Sequence, residues 1–282
     1  MSDKVRRAGK PVRRSFLIFS IGLVAFVSGL IACNDAPSTP TAPQLGAAAT
    51  ARKGSVGEGH NAMVDAVLRD VAKKRAKGSE KKLCKLVEES AIEYARSTAR
   101  NPGEAVSIIK KQEFCVASGL AARTAGMRAG LYEEYGLSPR ATELLNSANY
   151  FLSVSYSAGA LQSYLNSINA AAISELDWEE AQVVTSATSV AVSSFDYWNA
   201  NLAYWQTTLT EGPGSVRSDV GFGDVRLTPM HSFWGGVWDV TKADLEGAIG
   251  GGVMARLAKA AIPEYAMWMG GSKSLISVIN LM

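Results

Sequence analysis

Residues 177–209 read DWEEAQVVTSATSVAVSSFDYWNANLAYWQTTL. Val184, Ala187, Ala191, Phe195, Trp198, Leu202, Trp205 and Leu209 step by three and four. That spacing stacks side chains on one face of an α-helix. Asp177 in the cap position with Glu180 three residues on resembles a capping box, which satisfies free backbone N–H groups at a helix start. At 1.5 Å per residue the pattern makes a rod of roughly 45 Å, long enough to be the central core helix of a domain. Trp198, Tyr204 and Trp205 are read as core packing. A ligand-stacking wall is the alternative.

The same period recurs on both sides. A first helix is expected over His60–Ala76, with Met63, Val64, Val67, Leu68 and Val71 inward. Gly78-Ser79 is expected to stop it and cap a second helix, from about Glu80 to Arg100. Asn101-Pro102-Gly103 is a turn signal. A third helix follows, with Val106, Ile109 and Val116 on one face, and a small-residue stretch leads to Tyr135-Gly136. Ser138-Pro139 places a cap before a proline at the first helical position. A long helix is expected from there towards Ile173, with Gly159 as a bend point and many Ser and Asn residues off its apolar face. Gly212-Pro213-Gly214 closes the central helix, and 212–238 reads as an irregular loop. From about Val240, Asp244, Gly247, Ala248, Gly250, Gly251, Gly252 and Ala255 make a small-residue face suited to close helix packing. A membrane-inserting glycine zipper is the alternative, opposed by Glu246, Arg256, Lys259, Glu264 and Lys273. The expected fold is all-α, a domain of six to eight helices over residues 59–282.

The amino-terminal region has another character. Residues 13–33, RRSFLIFSIGLVAFVSGLIAC, follow a basic start and carry a charge-free run of 17 residues, Phe16 to Ala32. This is the build of an export signal. Its end, Leu30-Ile31-Ala32-Cys33, resembles the lipobox of bacterial lipoproteins. The resemblance implies a signal peptide over 1–32 and a diacylglycerol on Cys33. Membrane lipid would then be the partner held through the acylated residue, in the bacterial cell envelope, facing the periplasm or exterior. An uncleaved transmembrane helix is the alternative, at the short limit of spanning length. Arg13-Arg14-Ser15-Phe16-Leu17 also looks like a twin-arginine export core. Residues 33–58 are rich in Pro, Ala, Ser, Thr and Gly and read as a lipidated terminus and disordered linker. In the order of its features, a His-Asn near the start and a Gly-rich tail, the mature domain resembles uncharacterised exported bacterial helical proteins, which carry no activity over.

Six of the 29 basic and one of the 26 acidic residues precede Cys33, so the mature chain holds 23 against 25, a net charge of −2. Nucleic acid is not an expected partner, because its binding needs clustered Lys and Arg. The one basic run, Lys73, Lys74, Arg75, Lys77, Lys81, Lys82 and Lys85, reads as a solvated helix end, or as a weak contact with anionic lipid or cell-wall polymer. Removing Cys33 leaves Cys84 and Cys115, the arithmetic of one disulfide in an exported protein; two separate thiols are the alternative. Glu58, His60, Asn61, Asp65 and the distant His231 are the candidate ligand or structural site. Their spacing matches no metal motif, and no metal or cofactor is expected. No catalytic fingerprint of the G-x-S-x-G, H-E-x-x-H or phosphate-loop kind occurs. The expected role is non-enzymatic, binding or structural, with an envelope protein or cell-wall component as partner. A membrane-active or self-assembling protein and an enzyme built on His60 and His231 are the alternatives.

Overall fold

Ser55, not a residue beside His60, caps the first described helix. The Ser55 side chain accepts from the Glu58 backbone N–H at 3.2 Å, and the Glu58 carboxylate accepts from the Ser55 N–H at 2.9 Å. This reciprocal box starts α1, Val56–Ala76. The helix therefore starts four residues before the expected His60. In the computed structural model the described residues are 55–115, 132, 135–154, 158–211 and 230–282. The signal peptide, Cys33, the linker to residue 54, Val116 with the small-residue stretch to 130, and 212–229 lie outside them.

The end of α1 is a Schellman motif. Ser79 N–H bonds to Lys74 C=O and Gly78 N–H to Arg75 C=O, with Gly78 at φ +79°. Glycine adopts that left-handed backbone without a Cβ penalty. Ser79 does not cap the next helix, as expected above; α2 runs Leu83–Thr98 after Lys82, with no side-chain cap. In α3, Pro102–Lys110, the buried positions are Ala105, Ile108 and Ile109. Cys84 and Cys115 are disulfide-bonded, with Cα atoms 5.2 Å apart. Closing that loop of about 30 residues constrains the unfolded chain by roughly 3–4 kcal/mol in the chain-entropy model.

The long helix expected from Pro139 is two helices, α4 Pro139–Val154 and α5 Ala158–Glu175. They fold back on each other. Arg140 near the start of α4 pairs with Glu175 at the end of α5 at 2.6 Å, and Phe151 stacks on Tyr164 at 4.3 Å. Ser138 caps α4 through its side chain, as expected.

The central helix is α6, Trp178–Glu211, about 51 Å long at the standard rise. All eight residues of its predicted apolar stripe are buried. So are Val183, Val190, Ser194 and Thr208, so the stripe widens to meet several helices. Asp177 caps it through the Glu180 N–H at 2.8 Å. The Glu180 carboxylate leaves the expected box and crosses to Ser138, accepting from its N–H at 2.7 Å and its hydroxyl at 2.6 Å. One carboxylate thus ties the starts of α4 and α6 together.

The expected loop is wrong at its end: α7 begins at Met230 and runs to Ala258, and α8 spans Ile262–Asn280. Their contact is the most extensive in the molecule. A Cβ on Gly251 would stand 2.3 Å from the Tyr265 carbonyl oxygen, and one on Gly247 2.7 Å from that of Met269. The glycines are what let the two backbones meet. No described helix is long and apolar enough to cross a membrane. Among the described residues the protein is all-α, with α1, α6, α7 and α8 around a shared core and α2–α3 and α4–α5 packed outside it.

Candidate functional site

His60 is the fifth residue of α1, not its N-terminus. A Cβ on Gly57, one turn earlier, would fall 2.2 Å from Ser193 Oγ. Its absence brings α1 hard against α6, where Gly57 N–H donates to Ser189 Oγ at 3.2 Å. That approach carries His60 into the core at 0% exposure.

Asn61 sets the imidazole. Its Nδ2 donates to the Ser193 carbonyl of α6 at 2.8 Å, so its Oδ1 faces His60 Nδ1 at 2.9 Å. An amide oxygen only accepts, so Nδ1 is the donor of this bond. Nε2 is the nitrogen turned towards Asp244 of α7, 3.4 Å from Oδ2, with both side chains 0% exposed.

Asp244 is the hub. Its Oδ2 accepts from Ser194 of α6, from Ser274 of α8 at 2.9 Å and from Trp198 Nε1 of α6 at 3.3 Å. Trp198 Nε1 also donates to Ser274 Oγ at 2.9 Å. Four helices, α1, α6, α7 and α8, therefore converge on one buried carboxylate. Gly270 of α8 closes the cluster; a Cβ there would lie 3.3 Å from the Asp244 carbonyl and 3.4 Å from His60 Cδ2. A carboxylate removed from water is tolerated when donors surround it.

Ser, His and Asp are the residues of a hydrolase triad, but the order here differs. In a triad the imidazole stands between hydroxyl and carboxylate and takes the hydroxyl proton. Here the carboxylate stands between the hydroxyls and the imidazole. Ser194 and Ser274 donate to Asp244, and neither is positioned to hand a proton to His60. The arrangement holds helices together.

The other candidate residues separate. Glu58 is the exposed half of the α1 cap. Asp65 pairs with Arg69 at 2.7 Å and accepts from Tyr197 at 3.3 Å, in a second α1–α6 cluster completed by Trp205 Nε1 donating to Tyr197 at 2.8 Å. Burial first, and then the Asp65 charge, push the Tyr197 hydroxyl well above its ordinary pKa, which keeps it a donor. His231 is the second residue of α7, its side chain outside the described residues. Thirteen residues of α7, about 20 Å of helix, separate it from the residue His60 touches. A site shared by His60 and His231 is therefore not assembled. Among the described residues no group of three or more His, Cys, Asp or Glu could hold a metal ion.

Three of the seven residues of the basic run, Lys74, Lys81 and Lys85, are paired with carboxylates. Lys74 meets Asp70 at 2.5 Å and Glu93 at 3.2 Å, Lys81 meets Glu89 at 2.8 Å, and Lys85 meets Glu88 at 2.8 Å.

A second feature was not foreseen. A cleft of about 470 Å³ opens between α4 and α5, lined by Pro139, Thr142, Glu143, Asn146, Ser147 and Tyr150 of α4 and Tyr164 of α5. Its α4 residues recur at helical spacing among the Ser- and Asn-rich positions, which is the signal that marks it. In comparisons with known proteins, no family model, no curated protein and no solved structure matches the chain.

Proposed function

We propose that this is a lipid-anchored protein of the bacterial cell envelope whose helical domain has a non-enzymatic role, binding or structural. The lipobox-like Leu30-Ile31-Ala32-Cys33 supports the anchor. Two or three acyl chains, at about 0.8 kcal/mol per buried methylene, hold a domain on a membrane where one chain is marginal. The observation that carries the non-enzymatic part is the burial of His60 and Asp244 at 0% exposure, with both neighbouring hydroxyls directed at the carboxylate. A substrate has no route to an imidazole closed in by four helices. The glycines of α7 lie against α8, which favours this reading over a membrane-active glycine zipper.

Two measurements on the full chain test it. Cys33→Ser should abolish palmitate labelling and release the protein from the membrane fraction; retention by the serine variant would contradict the anchor. Turnover of an envelope substrate that is lost in His60→Ala, with the variant still folded, would contradict the non-enzymatic role.

A further inference from the structure

We propose that the α4–α5 cleft binds a neutral sugar unit of a glycan; this rests on, and gives chemical content to, the binding role above. Three observations carry it. The first is a platform of aromatic rings. Tyr150 is 68% exposed. Tyr164 is fixed from behind by Phe151, with ring centres 4.3 Å apart and planes within 15°. An exposed tyrosine ring offers an apolar face to the C–H side of a pyranose, and its hydroxyl stays wet.

The second is a stripe of unpaired polar atoms. Thr142 Oγ1, Asn146 Oδ1 and Asn149 Oδ1 are buried and have no hydrogen-bond partner. They stand at i, i+4 and i+7 on α4, one face of the helix, and the first two residues line the cleft. A buried polar atom left unpaired costs about 1–3 kcal/mol. Tyr150 is exposed, and exposed side chains change rotamer in picoseconds to nanoseconds. Its exposed ring can turn to lie over a ligand in the cleft.

The third is charge. Among the described residues, the ionic groups at the cleft are Glu143 and its partner Arg140, bound to Glu143 at 2.7 Å and to Glu175 at 2.6 Å. Two carboxylates to one guanidinium leave the mouth negative, which repels phosphate and carboxylate ligands. No deep apolar hole is present to seat a peptide's anchor side chain. Ser147, Asn146, Thr142 and Glu143 supply the mixed donors and acceptors that ring hydroxyls pair with. The volume falls in the range of small-ligand sites, roughly 300–1,000 Å³.

The test titrates chitobiose, cellobiose and maltose into the full-length protein in a detergent without a sugar headgroup. Binding is followed by saturation-transfer NMR, with the sugars checked by mass for cleavage. At least one disaccharide should bind saturably in the millimolar range. Tyr150→Ala, an exposed change that leaves Tm unaltered, should weaken it at least about tenfold, as should Asn146→Ala. No saturable binding of any of the three, equal binding by the Tyr150→Ala variant, or capture of a peptide in place of sugar would overturn the proposal. Cleavage of a bound sugar would uphold the cleft as a sugar site and contradict the non-enzymatic role, so the two ideas fail separately.

Discussion

In the Asp244 cluster, Ser194, Ser274 and Trp198 all donate to one carboxylate oxygen, Oδ2, and His60 Nε2 stands 3.4 Å from the same atom, while the buried Oδ1 has no hydrogen-bond partner. In the α4–α5 hairpin, the buried side-chain oxygens of Thr142, Asn146 and Asn149 have no hydrogen-bond partner within the chain. Both regions read alike as Ser-, Thr- and Asn-bearing helices. They differ in what stands opposite. The cluster is faced by other helices brought close by Gly57 and Gly270, so each donor finds an acceptor of the same chain. The hairpin opens to solvent along α4. The first region binds the fold together, and the second holds its hydrogen-bonding capacity in reserve for another molecule.

Asp244→Ala should have the largest effect. It leaves the Ser194 and Ser274 hydroxyls without their acceptor in a dry core, at about 1–3 kcal/mol for each buried group left unpaired. Urea unfolding should show the midpoint fall sharply; a loss under 1 kcal/mol, on the order of a single exposed pair, would break the contrast drawn here. Gly251→Ala comes next. Its methyl must displace the Tyr265 backbone, and overpacking of this kind costs roughly 1–3 kcal/mol. Thermal unfolding reads it.

Thr142→Val should go the other way. Removing an unpaired buried hydroxyl for a group of the same shape is neutral or stabilising, by up to about 1 kcal/mol, while sugar binding weakens. Destabilisation instead would mean that the hydroxyl already has a structural partner.

The smallest effect is electrostatic. Burial raises the Asp70 carboxyl, but hydrogen bonds from Lys74 and Ser90 outweigh it and set its pKa below the ordinary value. A depressed folded pKa adds stability that is complete above the unfolded value, about 3.9, and is lost as pH falls through the folded one. Asp70→Asn should therefore flatten the acid limb of a stability–pH curve and leave the curve's shape near neutrality unchanged.

The central helix was legible because its period alone decides which face is buried, and every stripe residue from Val184 to Leu209 is inside. The start of α1 was missed: Ser55-x-x-Glu58 has the capping-box pattern, but the Gly, Ala and Ser around it resemble linker. The start of α7 was hidden by Gly235-Gly236, although Trp234, Val237, Trp238 and Thr241 keep the helical step. The candidate site was half legible. His60-Asn61 stood out as a pair. Asp244 was visible only as one residue of a small-residue face. What makes it the hub is a meeting of residues 60, 194, 244 and 274, and no local pattern encodes that. Glu180 shows the same limit. Its capping position was evident, but its turn towards Ser138 depends on where α4 packs.

The sealing of His60 is the central claim, and diethyl pyrocarbonate footprinting of the full chain, read by mass on the His60 peptide through a urea titration, tests it most directly. The prediction is an unmodified His60 until the unfolding transition, with labelling that then tracks the loss of helix. Modification of His60 in the native protein, before any helix is lost, would contradict the account and reopen an accessible imidazole beside Asp244.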